Sequence, residues 1–119
     1  MEVIGIGLLG FGTVGRGVFR VLNRNRELIA NRLGATLEVR RILVRDPAKD
    51  RGIIVPPELL TSDPRAIFAD PGIQIVVEVM GGVDPARCYV LEALSRRKSV
   101  VTANKDLLAA HGQELFAAA

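Results

Sequence analysis

The chain is poor in several residue types, and each shortage excludes a class of protein. Its one cysteine, Cys88, excludes an internal disulfide and suits a reducing cytoplasm, and its apolar neighbours predict a buried place in a helix. Its one histidine, His111, has no second histidine to complete a metal site or a catalytic triad, so we predict no metal. No stretch reaches the ~20 apolar residues that cross a bilayer, and Glu2 stands where a signal peptide is basic. We therefore expect a cytoplasmic protein with no membrane partner.

Aromatic residues are also scarce, with four Phe, one Tyr and no Trp. The net charge of +3 is compatible with binding to nucleic acid, but the arginines are scattered and no stretch interleaves cations with base-stacking rings. A solvated basic surface, with no nucleic-acid partner, is the simpler interpretation. Because 49% of the 119 residues are hydrophobic, the chain can form the core of one domain, which we place at 1–119.

The strongest positive signal is the segment IGIGLLGFGTVG at 4–15, an apolar strand that runs into three glycines. In a strand–turn–helix unit, Gly10 permits the tight turn, Gly12 lets a pyrophosphate approach the backbone, and Gly15 lets helix and strand pack closely. The N–H groups of 11–14 then lie at a helix N-terminus, where the peptide dipoles favour an anion. Apolar residues follow the turn at helical spacing: Val14, Val18, Val21, Leu22, Leu28 and Ile29. The segment predicts a dinucleotide site, with a merely structural glycine turn as the alternative.

Short apolar runs alternate with helical periods along the rest of the chain, which is typical of an α/β fold. The runs predict strands at 3–9, 36–44, 73–79 and 99–102, and a short edge strand at 53–55. The helical periods predict helices at 13–32, 63–69, 84–97 and from 104 to 119. Right-handed crossovers then favour a Rossmann-type, doubly wound, mostly parallel sheet with helices on both faces. We expect the strand order to reverse between 3–9 and 73–79, at a switch point where ligands of such sheets bind.

Two further segments converge on this switch point: the glycine pair that starts at Gly81 and the segment TANK at 102–105. The end of the second strand selects the cofactor, because an acidic residue there holds the ribose 2′-hydroxyl of NAD and an arginine accommodates the 2′-phosphate of NADP. Arg45 follows that strand and can hold a phosphate through two donors. Asp46, the next residue, could still reach a hydroxyl. We therefore favour NADP over NAD, with tolerance of both left open.

Lys105 stands out because the chain uses lysine at three positions and arginine at thirteen. A cation in the first turn of a helix opposes the helix dipole by about 0.3–1 kcal/mol, and a local rule broken without local gain tends to mark function. Near the nicotinamide, this lysine could bond a substrate oxygen or pass a proton. An exposed lysine whose charge Asp106 compensates explains the position equally well. Glu78 is a weaker candidate, since a carboxylate in an apolar strand needs a partner and could orient a loop or bond the backbone near the site.

Together these motifs resemble the nucleotide-binding part of homoserine dehydrogenases, and the resemblance covers essentially the whole chain. It rests on GLLGFGTVGRGV at 7–18, LVRDPAK at 43–49, VVEVMGG at 76–82 and VVTANKDLLAAHG at 100–112. The resemblance implies cofactor binding by Phe11, Thr13, Val14 and Arg45. It also implies that Lys105 acts on the nicotinamide and substrate side, both in cofactor binding and in catalysis.

The resemblance further implies an oxidoreductase that interconverts L-homoserine and L-aspartate 4-semialdehyde with NAD(P), a step toward threonine, methionine and isoleucine. In that family a second domain supplies most substrate contacts, further acid–base groups and the contacts of a homo-oligomer, and 1–119 does not encode it. We therefore expect the chain to bind cofactor without turnover. Two alternatives stay open: an oxidoreductase for another aldehyde or keto substrate, and a stand-alone module that senses the dinucleotide.

Overall fold

The computed structural model describes residues 2–49, 52 and 55–119, and strands and helices alternate along them. The first half contains β1 (Glu2–Leu9), α1 (Thr13–Arg24), α2 (Arg26–Leu33) and β2 (Ala35–Leu43). A single 3-10 turn at Pro57–Leu59 leads into β3 (Leu60–Thr61) and α3 (Arg65–Phe68). The remaining elements are β4 (Ile73–Glu78), α4 (Ala86–Ser95), β5 (Ser99–Thr102) and α5 (Lys105–Ala118). The alternation predicted from the sequence is confirmed.

The five strands of the described residues form one parallel sheet in the order β3-β2-β1-β4-β5. From β1, the chain adds β2 and β3 on one side. It then returns to the other side of β1 and adds β4 and β5 there. The predicted doubly wound topology is therefore confirmed. Its switch point lies between the carboxyl ends of β1 and β4, which is where sheets of this kind bind ligands.

Apolar side chains cover both faces of the sheet, because consecutive residues of a strand point to opposite sides. On one side, Leu8 of β1 belongs to a cluster with Phe19 of α1. On the other side, the adjacent Leu9 belongs to a cluster with Ile67 of α3 and Ala93 of α4. Each buried leucine, isoleucine or phenylalanine stabilises the fold by roughly 1.5–3 kcal/mol. A third apolar cluster joins α4 to α5, so helices cover both faces, as predicted.

The helix predicted over 13–32 is two helices, because the chain leaves helical geometry at Asn25. The side-chain Nδ2 and the backbone N–H of Asn25 both donate to the carbonyl of Val21, at 3.0 and 3.1 Å. Such side-chain competition for backbone groups makes asparagine a poor residue inside a helix. Gly34 ends α2 with a φ of 72°, where the sequence placed the end of the helix.

Three of the apolar positions assigned to the buried face of this segment are exposed, namely Val14, Val21 and Leu28. The buried residues of α1 are Gly15 and Phe19, which are one turn apart. Gly15 and Phe19 mark the buried side of the helix, and Val14 and Val21 lie to one side of it, about 100° around the helix axis from Gly15. Val18 and Leu22 of the same apolar set pack against the core, so the predicted periodicity is confirmed for these two residues and wrong for the three exposed ones.

Beyond β2, the described residues form an edge strand that the sequence did not predict. The predicted strand at 53–55 includes Ile53 and Ile54, which lie outside the described residues, and Val55 packs against the core without belonging to a strand. The observed edge strand is β3 at Leu60–Thr61, which pairs with the end of β2. Two residues are too few to show a hydrophobic period, so the sequence pattern does not reveal this strand.

Cys88 is exposed, so the prediction that its apolar neighbours bury it is wrong. The buried stripe of α4 runs through Ala86, Val90 and Ala93, which follow one another at helical spacing. Cys88 is two residues from the first of these and therefore lies on the other side of the helix.

The longest of the described helices, α5, begins after Asn104 and runs to Ala118, close to the predicted range. Its backbone leaves helical values at His111, with φ of −138° and ψ of 20°, so the helix is kinked there. The Nδ1 atom of His111 lies 3.7 Å from a carboxylate oxygen of Glu114. Neither α5 nor any other described helix is long and apolar enough to span a membrane.

Candidate functional site

Three glycines with different surroundings build the turn between β1 and α1. Gly10 has a φ of 104°, which residues with side chains avoid. A methyl group on Gly15 would come within 2.6 Å of the Gly10 carbonyl oxygen, so the helix packs against the turn only because Gly15 has no side chain. A methyl group on Gly12 would meet no described atom within 4 Å. The turn therefore leaves open space at Gly12, where a ligand can reach the backbone.

The N-terminus of α1 adjoins this open space. Helical geometry leaves its first N–H groups without intrahelical acceptors, and no side chain of the described residues caps them. Thr13 and Val14 are exposed, whereas the side chain of Phe11 is buried edge-on against Phe19, with 5.7 Å between the ring centroids. Phe11 thus anchors the turn and leaves only its backbone for a ligand. The donors and the helix dipole together favour an anion such as a phosphate.

A cleft of about 730 Å³ opens beside the turn, at the carboxyl end of the sheet. It is lined by the glycine turn at 10–12 and by the segments that follow β2 and β4. Within the described part of the chain, its charged lining residues are all cations: Arg16, Arg45 and Lys49. No cluster of three or more metal-ligating side chains occurs among the described residues. Its size, its cations and the open glycine turn fit a dinucleotide with its phosphates.

Arg45 and Asp46 occupy different places, although they are neighbours in the sequence. Arg45 follows β2 by two residues and lines the cleft, whereas Asp46 is not part of that lining. The Oδ1 atom of Asp46 accepts the backbone N–H of Ala48 at 3.0 Å and so takes part in the turn after β2. Of the two, the arginine is the one presented to a ligand.

Glu78 is a buried carboxylate at the carboxyl end of β4, with 2% of its surface exposed. Its Oε2 accepts the N–H groups of Met80 and Gly81 at 2.8 and 3.3 Å, and its Oε1 accepts the Thr102 hydroxyl at 2.6 Å. The Thr102 Oγ1 in turn accepts the N–H of Asn104 at 3.1 Å. The expectation that Glu78 bonds the backbone near the site is confirmed, and the same carboxylate also reaches β5.

Gly81 and Lys105 lie on the same edge of the sheet but outside the lining of the cleft. Gly81 is exposed, with a φ of 77°. Lys105 is exposed in the first turn of α5, directly after Asn104. Asn104 fixes this turn twice: its Nδ2 donates to the Gly82 carbonyl at 2.6 Å, and its Oδ1 accepts the N–H of Leu107 at 3.1 Å. The predicted residues therefore form two groups, one around the glycine turn and Arg45, and one beyond β4 that includes Lys105.

Arg16 of α1 is a cleft residue that the sequence analysis did not single out. Its Nε donates to the Gly12 carbonyl at 3.2 Å. The signal is the spacing, because Arg16 follows Gly12 by four residues and helical side chains lean toward the preceding turn. The sequence analysis included Thr102 and Asn104 only as parts of the segment TANK and gave them no role of their own. An asparagine just before a helical period is nevertheless a recognisable N-cap, and Asn104 is one.

The chain matches known proteins along almost its whole length. The family model "Homoserine dehydrogenase, NAD binding domain" matches residues 10–119. Homoserine dehydrogenase of Corynebacterium glutamicum is 51% identical over 118 residues, which are 99% of this chain and 26% of that protein. The same enzyme of Bacillus subtilis is 40% identical over 119 residues, which are 100% of this chain and 28% of that protein. The crystal structure of S. aureus homoserine dehydrogenase at pH 6.0 matches with a TM-score of 0.92 and 42% identity, covering 99% of this chain and 30% of that one.

These matches share one pattern of coverage, since the chain spans about a quarter of the length of the curated relatives. The matched family model is named for NAD binding, which assigns a nicotinamide dinucleotide as the cofactor class. The resemblance found in the sequence is thus confirmed, and the chain belongs to the family of homoserine dehydrogenase NAD-binding domains.

Proposed function

We propose that residues 1–119 are the dinucleotide-binding domain of an enzyme that interconverts L-homoserine and L-aspartate 4-semialdehyde, with NADP preferred over NAD. Membership of the family supports the reaction, because the relatives are homoserine dehydrogenases. The cleft carries the cofactor part of the proposal, because an open glycine turn and a helix N-terminus meet three cationic side chains there. Since the chain spans about a quarter of its relatives, we assign most contacts to the small-molecule substrate to residues outside it.

In this proposal the pyrophosphate lies at the N-terminus of α1. The backbone N–H groups of 11–14 donate to its oxygens, and the absence of a side chain at Gly12 lets them do so. Gly10 and Gly15 act indirectly, by shaping the turn and bringing the helix close. The glycine turn thus binds the part of the cofactor that NAD and NADP share.

The preference for NADP rests on the segment after β2. Arg45 lines the cleft where an acidic residue would be expected in a site selective for NAD, and its guanidinium can bond a phosphate through two donors. Lys49 and Arg16 line the same cleft and add positive potential. Asp46 does not line the cleft, so the acidic alternative has less support.

Lys105 is the proposed catalytic residue of this domain, together with a role in cofactor binding on the nicotinamide side, near Gly81. When bound, the dinucleotide donates a hydride to, or accepts one from, the substrate carbon. As an aldehyde is reduced, negative charge grows on its oxygen, and the Lys105 ammonium would donate a hydrogen bond or a proton to that oxygen. Such a donor is worth more in the transition state than in the ground state, which is the condition for raising the rate. The position of Lys105 at the carboxyl edge, next to the Asn104 side chain that bonds Gly82, supports this role.

The setting of the enzyme completes the proposal. A single cysteine supports a cytoplasmic location, because it fits a reducing compartment. We also propose a homo-oligomer held together by residues outside this chain, which the resemblance to the family supports.

Two measurements test the cofactor site and the proposed reaction separately. Calorimetric titration of this chain with NADPH and NADH should give saturable binding that is tighter for NADPH, and binding of neither would contradict the site. The full-length gene product that contains this chain should reduce NADP in the presence of L-homoserine, while the chain alone should not turn over. Reduction with another alcohol but not with L-homoserine would overturn the substrate. Intact cofactor binding without any substrate-dependent reduction would favour the stand-alone module.

A further inference from the structure

We propose that Glu78 is a positioning residue for the nicotinamide side of the site. Its buried carboxylate would hold the loop after β4 and the turn into α5 in one fixed relation, and Lys105 with them. The inference rests on the proposed function, because it assumes that a nicotinamide binds at this edge. None of Glu78, Thr102 and Asn104 lines the cleft, but Met80, whose N–H bonds Glu78, does, so any effect must pass through the backbone that they hold.

A carboxylate suits this place better than any other side chain of similar length. One of its oxygens accepts two successive loop N–H groups, those of Met80 and Gly81, while the other accepts the Thr102 hydroxyl. Glutamine has only one acceptor oxygen, and an apolar side chain has none. Because Glu78 is 2% exposed, water does not readily replace the lost bonds.

The contacts of Glu78 belong to a closed ring of hydrogen bonds. The Thr102 Oγ1 also accepts the N–H of Asn104, at 3.1 Å. The Asn104 side chain donates to the Gly82 carbonyl in the loop after β4, at 2.6 Å, and this bond closes the ring. The loop is therefore held at two successive glycines, by Glu78 at Gly81 and by Asn104 at Gly82.

The loop needs such ties because its backbone has little preference of its own. Gly81 and Gly82 have φ values of 77° and 72°, and an added methyl group at either would meet no described atom within 4 Å. Two consecutive glycines without neighbouring packing lose much conformational entropy when they are ordered. Met80 packs against the core, and the ring supplies hydrogen bonds to the two glycines that follow it.

The ring and Arg45 lie on opposite sides of the glycine turn. Arg45 follows β2, while the ring joins β4 to β5, and β1 with its turn lies between them. A dinucleotide whose 2′-phosphate lies at Arg45 and whose pyrophosphate lies at the turn extends its nicotinamide half toward β4 and β5. Loss of the ring should therefore weaken the nicotinamide half of the cofactor and spare the adenosine half.

The test compares two ligands on the 119-residue chain: NADPH, and 2′,5′-ADP as the adenosine half alone. For Glu78→Ala we expect NADPH affinity to fall about tenfold or more, as for a lost buried hydrogen-bonding partner, while 2′,5′-ADP affinity stays within about twofold. Glu78→Gln keeps the shape and one of the two acceptor oxygens, so it should recover part of the NADPH affinity but not all of it. Thr102→Val opens the ring without touching the carboxylate, and it should also lower the ratio of NADPH to 2′,5′-ADP affinity.

Lys98→Met is the matched control, because Lys98 is also a buried charged residue with backbone partners. Its Nζ donates to the carbonyls of Asp70 and Ile73 at 2.8 and 2.6 Å, at the amino end of the sheet. This variant should lower the melting temperature and leave the affinity ratio unchanged. A ratio that falls equally in Lys98→Met would reduce Glu78 to a general stabiliser and overturn the inference.

The remaining outcomes separate this inference from the proposed function. An unchanged ratio in folded Glu78→Ala overturns the positioning role, and if that variant does not fold, an unchanged ratio in Thr102→Val does so. Equal affinity of the unsubstituted chain for NADPH and 2′,5′-ADP also overturns it, since no nicotinamide contact then exists to be positioned, while the cofactor site stands. Failure of the unsubstituted chain to bind either ligand overturns both proposals.

Discussion

The two ends of the sheet differ in how their cations are used. Ahead of β4 and β5, the charges satisfy one another and the backbone: Arg40 Nε donates to Asp70 Oδ2 at 3.1 Å, and Lys98 Nζ donates to two carbonyls at 2.6 and 2.8 Å. Burial lowers the pKa of the Lys98 ammonium, against the opposing attraction of the Asp70 carboxylate. At this amino end, the charged groups of Arg40, Asp70 and Lys98 are therefore bonded within the protein.

At the carboxyl end the cations Arg16, Arg45 and Lys49 line an open cleft, and no acidic residue of the described chain lines it with them. This difference between the two ends predicts which property of the protein a substitution changes. At the amino end it should change the free energy of unfolding, and at the carboxyl end it should change binding or turnover. Substitutions at both ends can break this division.

Gly12→Val should have the largest effect, a complete loss of NADPH binding. A valine side chain would occupy the space through which a pyrophosphate reaches the backbone. The fold should persist, because Gly12 has a φ of −78° and no described atom lies within 4 Å of an added Cβ. Calorimetric titration and thermal unfolding measure the two properties. Gly17→Val is the control, since Gly17 also has room for a methyl group but lies further along α1, and unchanged affinity in folded Gly12→Val would contradict the dinucleotide site.

Lys105→Ala, in the full-length enzyme that contains this chain, should lower kcat by roughly 100-fold or more. The reason is the loss of a cation near the oxygen that gains charge. Lys105→Arg should not restore the rate, because the guanidinium is larger and does not release its proton. Asp106→Asn, one residue further along the same helical turn, is the control and should leave steady-state turnover nearly unchanged. Near-normal turnover in Lys105→Ala would make Lys105 an exposed helix residue and nothing more.

Arg45→Ala should weaken NADPH binding more than NADH binding, by ~1–3 kcal/mol for the lost charge-assisted hydrogen bonds. Titration of the variant with each cofactor gives the difference. Arg65→Ala is a suitable control, because the exposed Arg65 side chain pairs with Asp63 rather than lining the cleft. Equal losses for both cofactors would show that Arg45 does not contact the 2′-phosphate.

Asp70→Asn should have the smallest effect, a loss of about 1 kcal/mol of stability with NADPH affinity unchanged. Burial acts to raise the pKa of Asp70, but hydrogen bonds from the Gly72 N–H and from Arg40 outweigh it and hold that pKa below its usual range. A carboxylate with a lowered folded pKa stabilises above its unfolded pKa, and the contribution is lost as the pH falls through the folded value.

Urea unfolding at several pH values measures this contribution. The stability difference between the unsubstituted chain and Asp70→Asn should be full at pH 7 and should shrink from about pH 4 downward. A difference that is the same at pH 7 and in acid would show that the charge of Asp70 does not matter. A change in NADPH affinity would break the division between the two ends of the sheet.

The sheet topology and the glycine turn are predictable because they depend on local patterns. Alternating apolar runs mark the strands, and Gly10, Gly12 and Gly15 act within one turn of chain. The break at Asn25 is not, because it accompanies one extra hydrogen bond from the Asn25 side chain to the Val21 carbonyl. The hydrophobic period of the sequence does not reveal a single side-chain hydrogen bond of this kind.

The candidate site also contains residues that local sequence patterns predict and contacts that they do not. Arg45 follows directly from its place after a strand, and the structure puts it in the lining of the cleft. The sequence also shows that Glu78 needs a partner, but that partner, Thr102, lies 24 residues away and is brought near only by the pairing of β4 with β5. Contacts between distant segments are the part of a site that composition and spacing do not supply.

The absence of a side chain at Gly15 lets the start of α1 pack directly against the Gly10 carbonyl, so that the glycine turn and the helix form one closely packed piece. Two further contacts hold this piece in place: the Gly10 N–H donates to the Leu43 carbonyl at 3.0 Å, and the Phe11 ring is buried. A phosphate bound here, as we propose, would order little backbone, so the entropy lost on binding would be mainly that of the ligand itself. If the proposed function holds, the glycine turn is preorganised for a phosphate, and we expect no rearrangement of this turn when the cofactor binds.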